Sequence, residues 1–339
     1  KPITAAAVLT LVESGKLRLD QPVGDLLPEF RNPRVFVRFE GEEPITEPAR
    51  TPMLVRHLLT HTSGLSESFN KGLEPTALLY ERIGLNSGRF DPKLGITTLA
   101  RYSEVLATIP LASHPGEHWL YGSSLDLAGR VIEVASGEEF GAFVQSRILG
   151  PLGMRDTSFA LPADKRPRLA AMYRAAPQGG TVRLDPPLIP GWGDTAVVPM
   201  GGVGMFSTLD DYVRFVRMLL GKGALDGKRV LARSTVARMM SNQLPPALGD
   251  VPLSAAARFG LGGEVTGLGF GFGGSVLIDP VRAGGIGYRG EYAWGGAAST
   301  TFWADPVNGI GVVLMTQKLP SGIYPLRDQL RRVVYGRLP

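Results

Sequence analysis

The stretch that decides the fold is residues 1–12, which read KPITAAAVLTLV. Alanine and leucine dominate it and no glycine occurs before Gly15, so the pattern predicts a buried helix of good intrinsic propensity. Pro2 is tolerated near a helix start, where its missing N–H would have no intrahelical partner anyway. Lys1 is therefore expected in the opening turn of an apolar helix. An amine in that position is costly to bury unless it has a chemical task.

The composition of the chain excludes several classes of protein. With 339 residues and 44% apolar content, it can bury a large core in one or two domains. Its 36 basic and 31 acidic residues give a net charge of +5, and the scattered basic residues argue against nucleic-acid binding. The absence of cysteine excludes disulfides, thiolate metal sites and cysteine nucleophiles. No apolar run reaches the ~20 residues of a membrane span.

The periodicity of apolar residues predicts an α+β protein with a helical insert. Helical patterns occupy residues 51–61, 98–109, 123–136, 138–149, 207–220 and 322–335. From about residue 255 the pattern changes to glycines and alternating apolar residues, which predicts strands at 275–279, 298–303 and 310–315. The last two are expected to form an antiparallel hairpin. Residues 31–50 are expected to form a loop or small hairpin, and residues 64–97 an irregular lid or substrate-facing loop.

Three common motifs point away from their usual functions. Residues 269–274, GFGFGG, match a dinucleotide-binding pattern, but a strand rather than a helix follows, which favours a flexible strand. His57 and His61 have the spacing of two metal ligands on one helix face, but the glutamate of an HExxH motif is missing, which favours structural histidines. No Gly-x-Ser-x-Gly elbow occurs anywhere in the chain.

Two further patterns are weak individually. Tyr121-Gly122-Ser123 follows a Pro-Gly loop and precedes a helix, where a tyrosine is usually a packing residue. Residues 294–297, WGGA, lie at the predicted start of a strand, which two glycines weaken unless a ligand must approach the backbone. The order of these patterns along the chain is more informative than either alone.

Taken in order, the motifs resemble those of serine β-lactamase-like hydrolases, and in particular of family VIII carboxylesterases, which are relatives of class C β-lactamases. Residues 1–6 look like the tail of a Ser-x-x-Lys motif whose serine would lie three positions before Lys1. That serine is expected either to be covalently modified or to have been removed by truncation. Supporting stretches are residues 55–65 (VRHLLTHTSGL), 125–133 (LDLAGRVIE), 151–157 (PLGMRDT), 201–208 (GGVGMFST) and 294–296 (WGG).

The resemblance implies roles for individual residues. The serine would be the nucleophile, and Lys1, with a pKa depressed by partial desolvation, would take its proton. Tyr121 would complete the proton relay and protonate the leaving alkoxide. The amides of the serine and of Ala297 would form the oxyanion hole. Ser123, where the lactamases usually carry asparagine, and residues 294–296 would bind the substrate.

The third motif departs from the lactamase pattern, and this departure guides the choice of substrate. Trp294-Gly295-Gly296 replaces Lys-Thr-Gly, whose lysine and threonine help to bind a drug carboxylate in lactamases and penicillin-binding proteins. The resemblance therefore implies a carboxylesterase for neutral esters with short acyl chains, acting through an acyl-enzyme, with weak β-lactamase side activity. The alternatives are a β-lactamase, a D-amino-acid peptidase or an acyltransferase on the same fold, or a non-catalytic penicillin-binding-like sensor.

The resemblance also implies the overall architecture and the partners. We expect an antiparallel sheet flanked by helices (residues 1–50 and 255–339), a mostly helical domain (residues 51–254), and an active site at their interface. No metal and no organic cofactor are implied. The expected partner is a small-molecule ester, with no nucleic acid, and the location is expected to be cytoplasmic. The sequence leaves the oligomeric state open.

Overall fold

The computed structural model describes residues 1–86, 88–185, 198–248 and 266–336. Contacts group the chain into two compact units. The first unit holds the described residues of Lys1–Ile148, Ala196–Met205 and Pro245–Leu248. The second holds those of Leu149–Thr195, Phe206–Leu244 and Gly249–Pro339. The boundaries of these two units differ from those of the two predicted domains. The domain boundaries therefore stay a prediction.

The described ranges contain both helices and strands. The α-helices are α1 (Pro2–Glu13), α2 (Val55–Leu59), α3 (Ala77–Ile83), α4 (Leu99–Ala107), α5 (Ser124–Ser136), α6 (Phe140–Val144), α7 (Gly150–Leu152), α8 (Leu209–Leu220), α9 (Arg233–Met239) and α10 (Leu326–Tyr335). The strands are β1 (Arg34–Glu40), β2 (Glu43–Pro48), β3 (Leu85–Asn86), β4 (Arg89–Phe90), β5 (Tyr173–Ala175), β6 (Thr181–Arg183), β7 (Ala224–Leu225), β8 (Lys228–Arg229), β9 (Leu268–Phe270), β10 (Ser275–Leu277), β11 (Tyr292–Gly295), β12 (Thr301–Asp305), β13 (Ile310–Leu314) and β14 (Lys318–Leu319).

Helix α1 lies in the core of the first unit, as its composition predicted. Lys1 is its N-cap and Pro2 its first residue, and Ala5 to Val8 are fully buried. Small alanine side chains let other helices approach closely, and α1 packs most extensively against α5. Helices α2, α4 and α6 also pack on α5, so α5 is surrounded by helices within this unit.

The second unit is built on a five-stranded antiparallel sheet in the order β13-β12-β11-β10-β9. Strands β12 and β13 form the hairpin that the sequence predicted, with Thr301 opposite Leu314 and Asp305 opposite Ile310. Helix α8 packs on these two strands. Its N-cap is Thr208, whose hydroxyl accepts the Asp211 amide, which confirms the predicted start of this helix.

Several predicted boundaries were wrong for identifiable reasons. The helix expected from residue 51 begins at Val55, because Met53 and Leu54 are extended and bonded to the segment around Pro22. The strand expected at residues 298–303 is Thr301–Asp305, since a turn closed by the Gly296 amide on the Thr300 carbonyl precedes it. Residues 64–97, expected to be irregular, contain α3 and a small hairpin of β3 and β4.

Other expectations are confirmed. Residues 31–50 contain the hairpin of β1 and β2, and residues 269–274 form the end of β9 and the turn into β10 rather than a helix-associated phosphate loop. The start of the predicted strand-rich region, up to residue 265, lies outside the described residues. Within the four described ranges, no helix has the length and apolar character to cross a membrane.

Candidate active site

Lys1 is held at the start of α1 by partners from distant parts of the first unit. Its amine donates to the carbonyl oxygen of Gly202 at 2.7 Å and lies 4.9 Å from the centre of the Tyr121 ring. The Tyr121 hydroxyl also attracts the amine and favours its charged form, which raises the pKa of Lys1. The structure therefore brings together Lys1 and Tyr121, the two residues that the sequence predicted to act as a pair.

The Gly201–Gly202 segment that receives Lys1 is fixed by α1 and α5. The Thr4 hydroxyl donates to the carbonyl of Gly201 at 2.7 Å. The Gly202 amide donates to Asp126 Oδ1, also at 2.7 Å, and Asp126 is buried. A Cβ added at Gly202 would come within 2.7 Å of the Asp126 carboxylate, so glycine is required for this close approach. Asp126 thus positions the carbonyl that holds Lys1.

The charge on Lys1 differs from the expectation. Burial disfavours the ammonium form, but the attraction of Tyr121 and Asp126 outweighs that effect and raises the pKa of Lys1 above its usual value of 10.5. The predicted depression of this pKa by desolvation was wrong. Sequence reasoning considered the apolar helix but not the acidic partners, which come from α5 and from the loop before it.

Tyr121 is 7% exposed and surrounded by aromatic rings. The rings of His61, Phe69 and Trp119 have centroids 4.7, 5.8 and 6.3 Å from that of Tyr121. These rings pack around the phenol and restrict its motion. The phenol is therefore held towards the amine of Lys1.

The backbone of the Tyr121–Ser123 turn is bound to the segment between α2 and α3. Asn70 Nδ2 donates to the Tyr121 carbonyl at 2.9 Å, and the Ser123 amide donates to the Ser66 carbonyl at 3.2 Å. Ser66 is itself fixed, since its amide donates to the Tyr80 hydroxyl at 3.1 Å. The position of Tyr121 therefore depends on residues 50 to 60 positions earlier in the chain.

Ser123 faces the interior of the first unit. It is fully buried, and its hydroxyl donates to Glu67 Oε1 at 2.8 Å and to the Ser66 carbonyl at 3.0 Å. A role for this hydroxyl in substrate binding stays a prediction. Its hydrogen bonds in the structure connect the Tyr121 turn to Glu67.

The two histidines with metal-ligand spacing make backbone hydrogen bonds. Nδ1 of His57 accepts the Leu54 amide at 3.2 Å, and Nδ1 of His61 accepts the Gly122 amide at 3.4 Å. Burial lowers the pKa of His61 well below its usual value, and the nearby charge of Lys1 lowers it further. Both therefore act as neutral acceptors that fix local backbone. Across the described residues, no group of three or more acidic or histidine side chains is placed to hold a metal.

Residues 294–297 belong to the second unit and lie at the end of β11, not at the start of a strand as predicted. The Trp294 ring is buried and packs edge-on against Phe270, with centroids 5.3 Å apart. Gly295 and Gly296 lead into the turn that ends at Thr300. Ala297 is exposed in this turn.

Arg327 of α10 explains why glycine is needed in that motif. It is 8% exposed, and its guanidinium donates to the carbonyls of Gly296 at 3.1 Å and Thr300 at 2.6 Å. A Cβ at Gly295 would overlap this guanidinium. Burial lowers the pKa of Arg327 to about 10, so it remains charged at neutral pH. Close approach of a protein side chain, rather than of a ligand, thus accounts for Gly295.

Asp126, Glu67 and Arg327 were not assigned a role from the sequence. Asp126 offered a signal, because it is an acidic residue among the apolar positions of a predicted helix, 125–133. Glu67 and Arg327 offered none, since each lies in a polar stretch where a charged residue is ordinary. Glu67 and Arg327 can be recognised only from their contacts in the folded structure.

Comparisons with known proteins agree with the motifs. Residues 1–335 match the protein family described as Beta-lactamase. Esterase EstB of Burkholderia gladioli is 34% identical over 354 residues, covering 99% of this chain and 80% of the esterase.

Two solved structures extend the comparison to the fold. EstCE1, described as a hydrolase with promiscuous acyltransferase activity, has a TM-score of 0.74 and 28% identity, covering 99% of this chain and 83% of its own. Simvastatin synthase from Aspergillus terreus has a TM-score of 0.78 and 26% identity, covering 97% of this chain and 80% of its own. The predicted α+β fold and the predicted resemblance are both confirmed, and the chain belongs to the beta-lactamase family, whose members here include esterases and acyltransferases.

Proposed function

We propose that this protein is a carboxylesterase that works through an acyl-enzyme, with a serine three residues ahead of Lys1 as nucleophile and Lys1 and Tyr121 as its proton relay. The observation that carries the proposal is the pairing of half-buried Lys1 with buried Tyr121, with the amine fixed on the Gly202 carbonyl at 2.7 Å. A serine one helical turn before Lys1 would project from the same face of the helix.

The raised pKa of Lys1 supports one order of proton transfers. The pair can accept a proton only when its two groups hold one proton between them, and the raised pKa of Lys1 favours the amine as the holder, so that the oxygen of Tyr121 accepts the proton of the serine hydroxyl. The serine oxygen then bonds to the ester carbonyl carbon, and the carbonyl oxygen becomes an oxyanion. The amides of the serine and of Ala297 donate to that oxyanion. Throughout this step the positive charge of Lys1 offsets the negative charge that develops nearby.

Collapse of the intermediate completes acylation. The bond between the carbonyl carbon and the alkoxy oxygen breaks, and Tyr121 returns the proton to the departing alkoxide, which leaves as a neutral alcohol. In deacylation a water molecule takes the place of the alcohol. It loses a proton to Tyr121 as it attacks the acyl carbon, and that proton restores the serine hydroxyl as the acid leaves.

The third motif favours neutral esters with short acyl chains as substrates. Trp294 stands where a lysine would attract a carboxylate, and its indole is buried against Phe270. Arg327, a cation next to this motif, is buried and occupied by the carbonyls of Gly296 and Thr300. A weak β-lactamase side activity remains part of the proposal.

The second candidate function is acyl transfer to an alcohol instead of water. It is favoured by the similarity to simvastatin synthase and to EstCE1, a hydrolase whose description includes promiscuous acyltransferase activity. Both reactions use the same acyl-enzyme, and they differ in whether water or an alcohol reaches it first.

A paired assay of the full-length protein tests the proposal. p-Nitrophenyl butyrate reports ester cleavage, nitrocefin reports lactam cleavage, and added alcohol reports transfer by product analysis. We expect fast ester turnover, little lactam turnover, and a loss of ~10²–10⁴-fold in Tyr121→Phe. Tyr212→Phe is the matched control, since Tyr212 packs on Phe215 and Phe302 in the second unit. Near-native turnover by Tyr121→Phe would remove Tyr121 from the mechanism, and fast lactam turnover would refute the substrate assignment.

A further inference from the structure

A buried carboxyl group that the proposed mechanism does not use lies next to the Tyr121 turn. Glu67 is 3% exposed, and its Oε1 accepts the Ser123 hydroxyl at 2.8 Å. Its Oε2 is also buried and has no hydrogen-bond partner of normal geometry among the described residues. The Ser68 amide favours the charged form of the Glu67 carboxyl. It does not form a hydrogen bond of normal geometry to Oε2.

Keeping Glu67 in this place is costly for the folded protein. Burial and the nearby Asp126 carboxyl raise the pKa of Glu67 to about 8, although the Ser123 hydroxyl and the charge of Lys1 act in the opposite direction. Glu67 therefore lowers the stability of the folded protein at a position next to the candidate active site. Such a cost is typical of residues that are kept for function. A glutamine would fill the same space and accept the same hydrogen bond without titrating.

We propose that Glu67 is a positioning residue of the Lys1–Tyr121 site, whose carboxyl fixes the Ser123 hydroxyl and, through the Tyr121–Ser123 turn, the orientation of the Tyr121 phenol. The inference rests on the proposed function, since it assigns Glu67 to the residue that relays the proton. Glu67 does not touch the reacting atoms in this account.

The geometry shows why Glu67 matters among the anchors of this turn. The carbonyl of Tyr121 is held by Asn70, and the amide of Ser123 by Ser66, both from the same short segment. Glu67 holds the side chain of Ser123, which adds to these two attachments and to that of the Gly122 amide on His61. Of these anchors, Glu67 and His61 can ionise, and burial lowers the pKa of His61 well below its usual value, which keeps it neutral.

Ionisation of Glu67 is expected to weaken the site. It places a second negative charge beside Asp126 in a buried space, which favours opening of the segment towards water. Turnover should therefore fall as the pH rises through about 8.

Several other titratable groups lie around Glu67. They are Lys1 from α1, Tyr80 from α3, Tyr102 from α4, Asp126 from α5, Glu74 from the segment before α3, and Tyr121 itself. Burial raises the pKa of both Tyr80 and Tyr102 well above 10, and that of Lys1 lies above 10.5. Burial also raises the pKa of Asp126, so substitution at Glu67 is needed to separate the two carboxyls.

The test compares Glu67→Gln and Glu67→Ala with the wild-type full-length protein. Glu81→Gln is the control, because Glu81 is an exposed carboxylate paired with Lys71. The readouts are kcat and KM on p-nitrophenyl butyrate from about pH 5 to about pH 10, and Tm over the same range. A third readout is the phenolate absorbance of Tyr121, taken as the difference from Tyr121→Phe.

We expect Glu67→Gln to keep wild-type kcat near pH 7 and to lose the decline near pH 8. Glu67→Ala should lower kcat at least ~10-fold at every pH with little change in KM, and should not add to Ser123→Ala, since both break one contact. The wild-type Tm should fall as the pH rises from about 4.5 to about 8, because the folded carboxyl retains a proton that the unfolded one releases. That decline should be shallower in Glu67→Gln.

Superimposable pH profiles of wild type and Glu67→Gln, together with an unchanged kcat in Glu67→Ala, would overturn the inference. If Glu67→Ala does not fold, the Glu67→Gln profiles decide. A wild-type protein that cleaves no ester and transfers no acyl group would refute the proposed function instead. In that case the titration of the Tyr121 phenol, followed by its phenolate absorbance, still tests whether Glu67 positions Tyr121. A titration identical to that of the wild type in both Glu67 variants would refute the positioning role.

Discussion

Asp126→Ala is the substitution whose effect follows most directly from the structure. The carboxylate is buried, accepts the Gly202 amide at 2.7 Å, and is one of the groups whose attraction raises the pKa of Lys1. Truncation removes a hydrogen bond to a charged group, which contributes roughly 1.5–3 kcal/mol. It also leaves the half-buried Lys1 ammonium with less opposite charge nearby.

We therefore expect Asp126→Ala to lower the free energy of unfolding by about 3 kcal/mol, since the lost hydrogen bond and the less compensated lysine charge arise from the same carboxylate. For a chain of this size such a loss lowers Tm by a few degrees. The Gly202 carbonyl would lose its fixed position, so Lys1 would no longer be held against Tyr121. If about 2 kcal/mol of this loss appears in the transition state, kcat falls by roughly 30-fold.

Thermal denaturation and steady-state ester hydrolysis measure the two effects. Asp126→Asn keeps an oxygen for the Gly202 amide and removes the charge, so it should recover part of the stability. Asp226→Ala is the contrasting control, because its ion pair with Arg214 is at the surface, with 51% of the Asp226 side chain exposed, and should matter by less than ~1 kcal/mol. Wild-type Tm and kcat in Asp126→Ala would refute the reasoning that Asp126 positions the acceptor of Lys1.

Three further substitutions test neighbouring parts of the account. Gly202→Ala brings a Cβ within 2.7 Å of Asp126, so kcat on p-nitrophenyl butyrate should fall at least ~10-fold; unchanged kcat would show that the segment adapts. Lys1→Ala should reduce turnover by ~10²–10⁴-fold while circular dichroism stays native, and retained turnover would exclude Lys1 from the relay. Arg327→Ala frees the carbonyls of Gly296 and Thr300 and should lower kcat/KM ~10-fold, with Arg332→Ala as the exposed control; equal kcat/KM in both variants would contradict a role for the turn.

The sequence was informative where local pattern and chain order determine structure. Helix α1 has nine buried residues, most of them apolar, so its position in the core could be predicted from residues 1–12. The hairpin of β12 and β13 followed from two apolar runs joined by a turn rich in Asp, Asn and Gly. Lys1 and Tyr121 could be paired because their motifs occur in a recognisable order.

What could not be predicted depends on contacts between residues far apart in sequence. The raised pKa of Lys1 arises from Tyr121 and Asp126, which lie 120 and more positions later in the chain. The start of α2 at Val55 depends on hydrogen bonds to the segment around Pro22. Likewise, Gly295 is explained by Arg327, a residue of the last helix. Such effects require the packed structure, because no local rule connects these positions.

Covalent labelling of the nucleophile tests the central claim most directly. The full-length protein is treated with a fluorophosphonate, its intact mass is measured, and tandem mass spectrometry locates the modified residue. We predict one adduct per chain, on a serine three residues ahead of Lys1, formed much more slowly in Tyr121→Phe. No adduct, or an adduct on another residue with ester hydrolysis intact, would contradict the assignment of Lys1 and Tyr121 as the proton relay of a serine nucleophile.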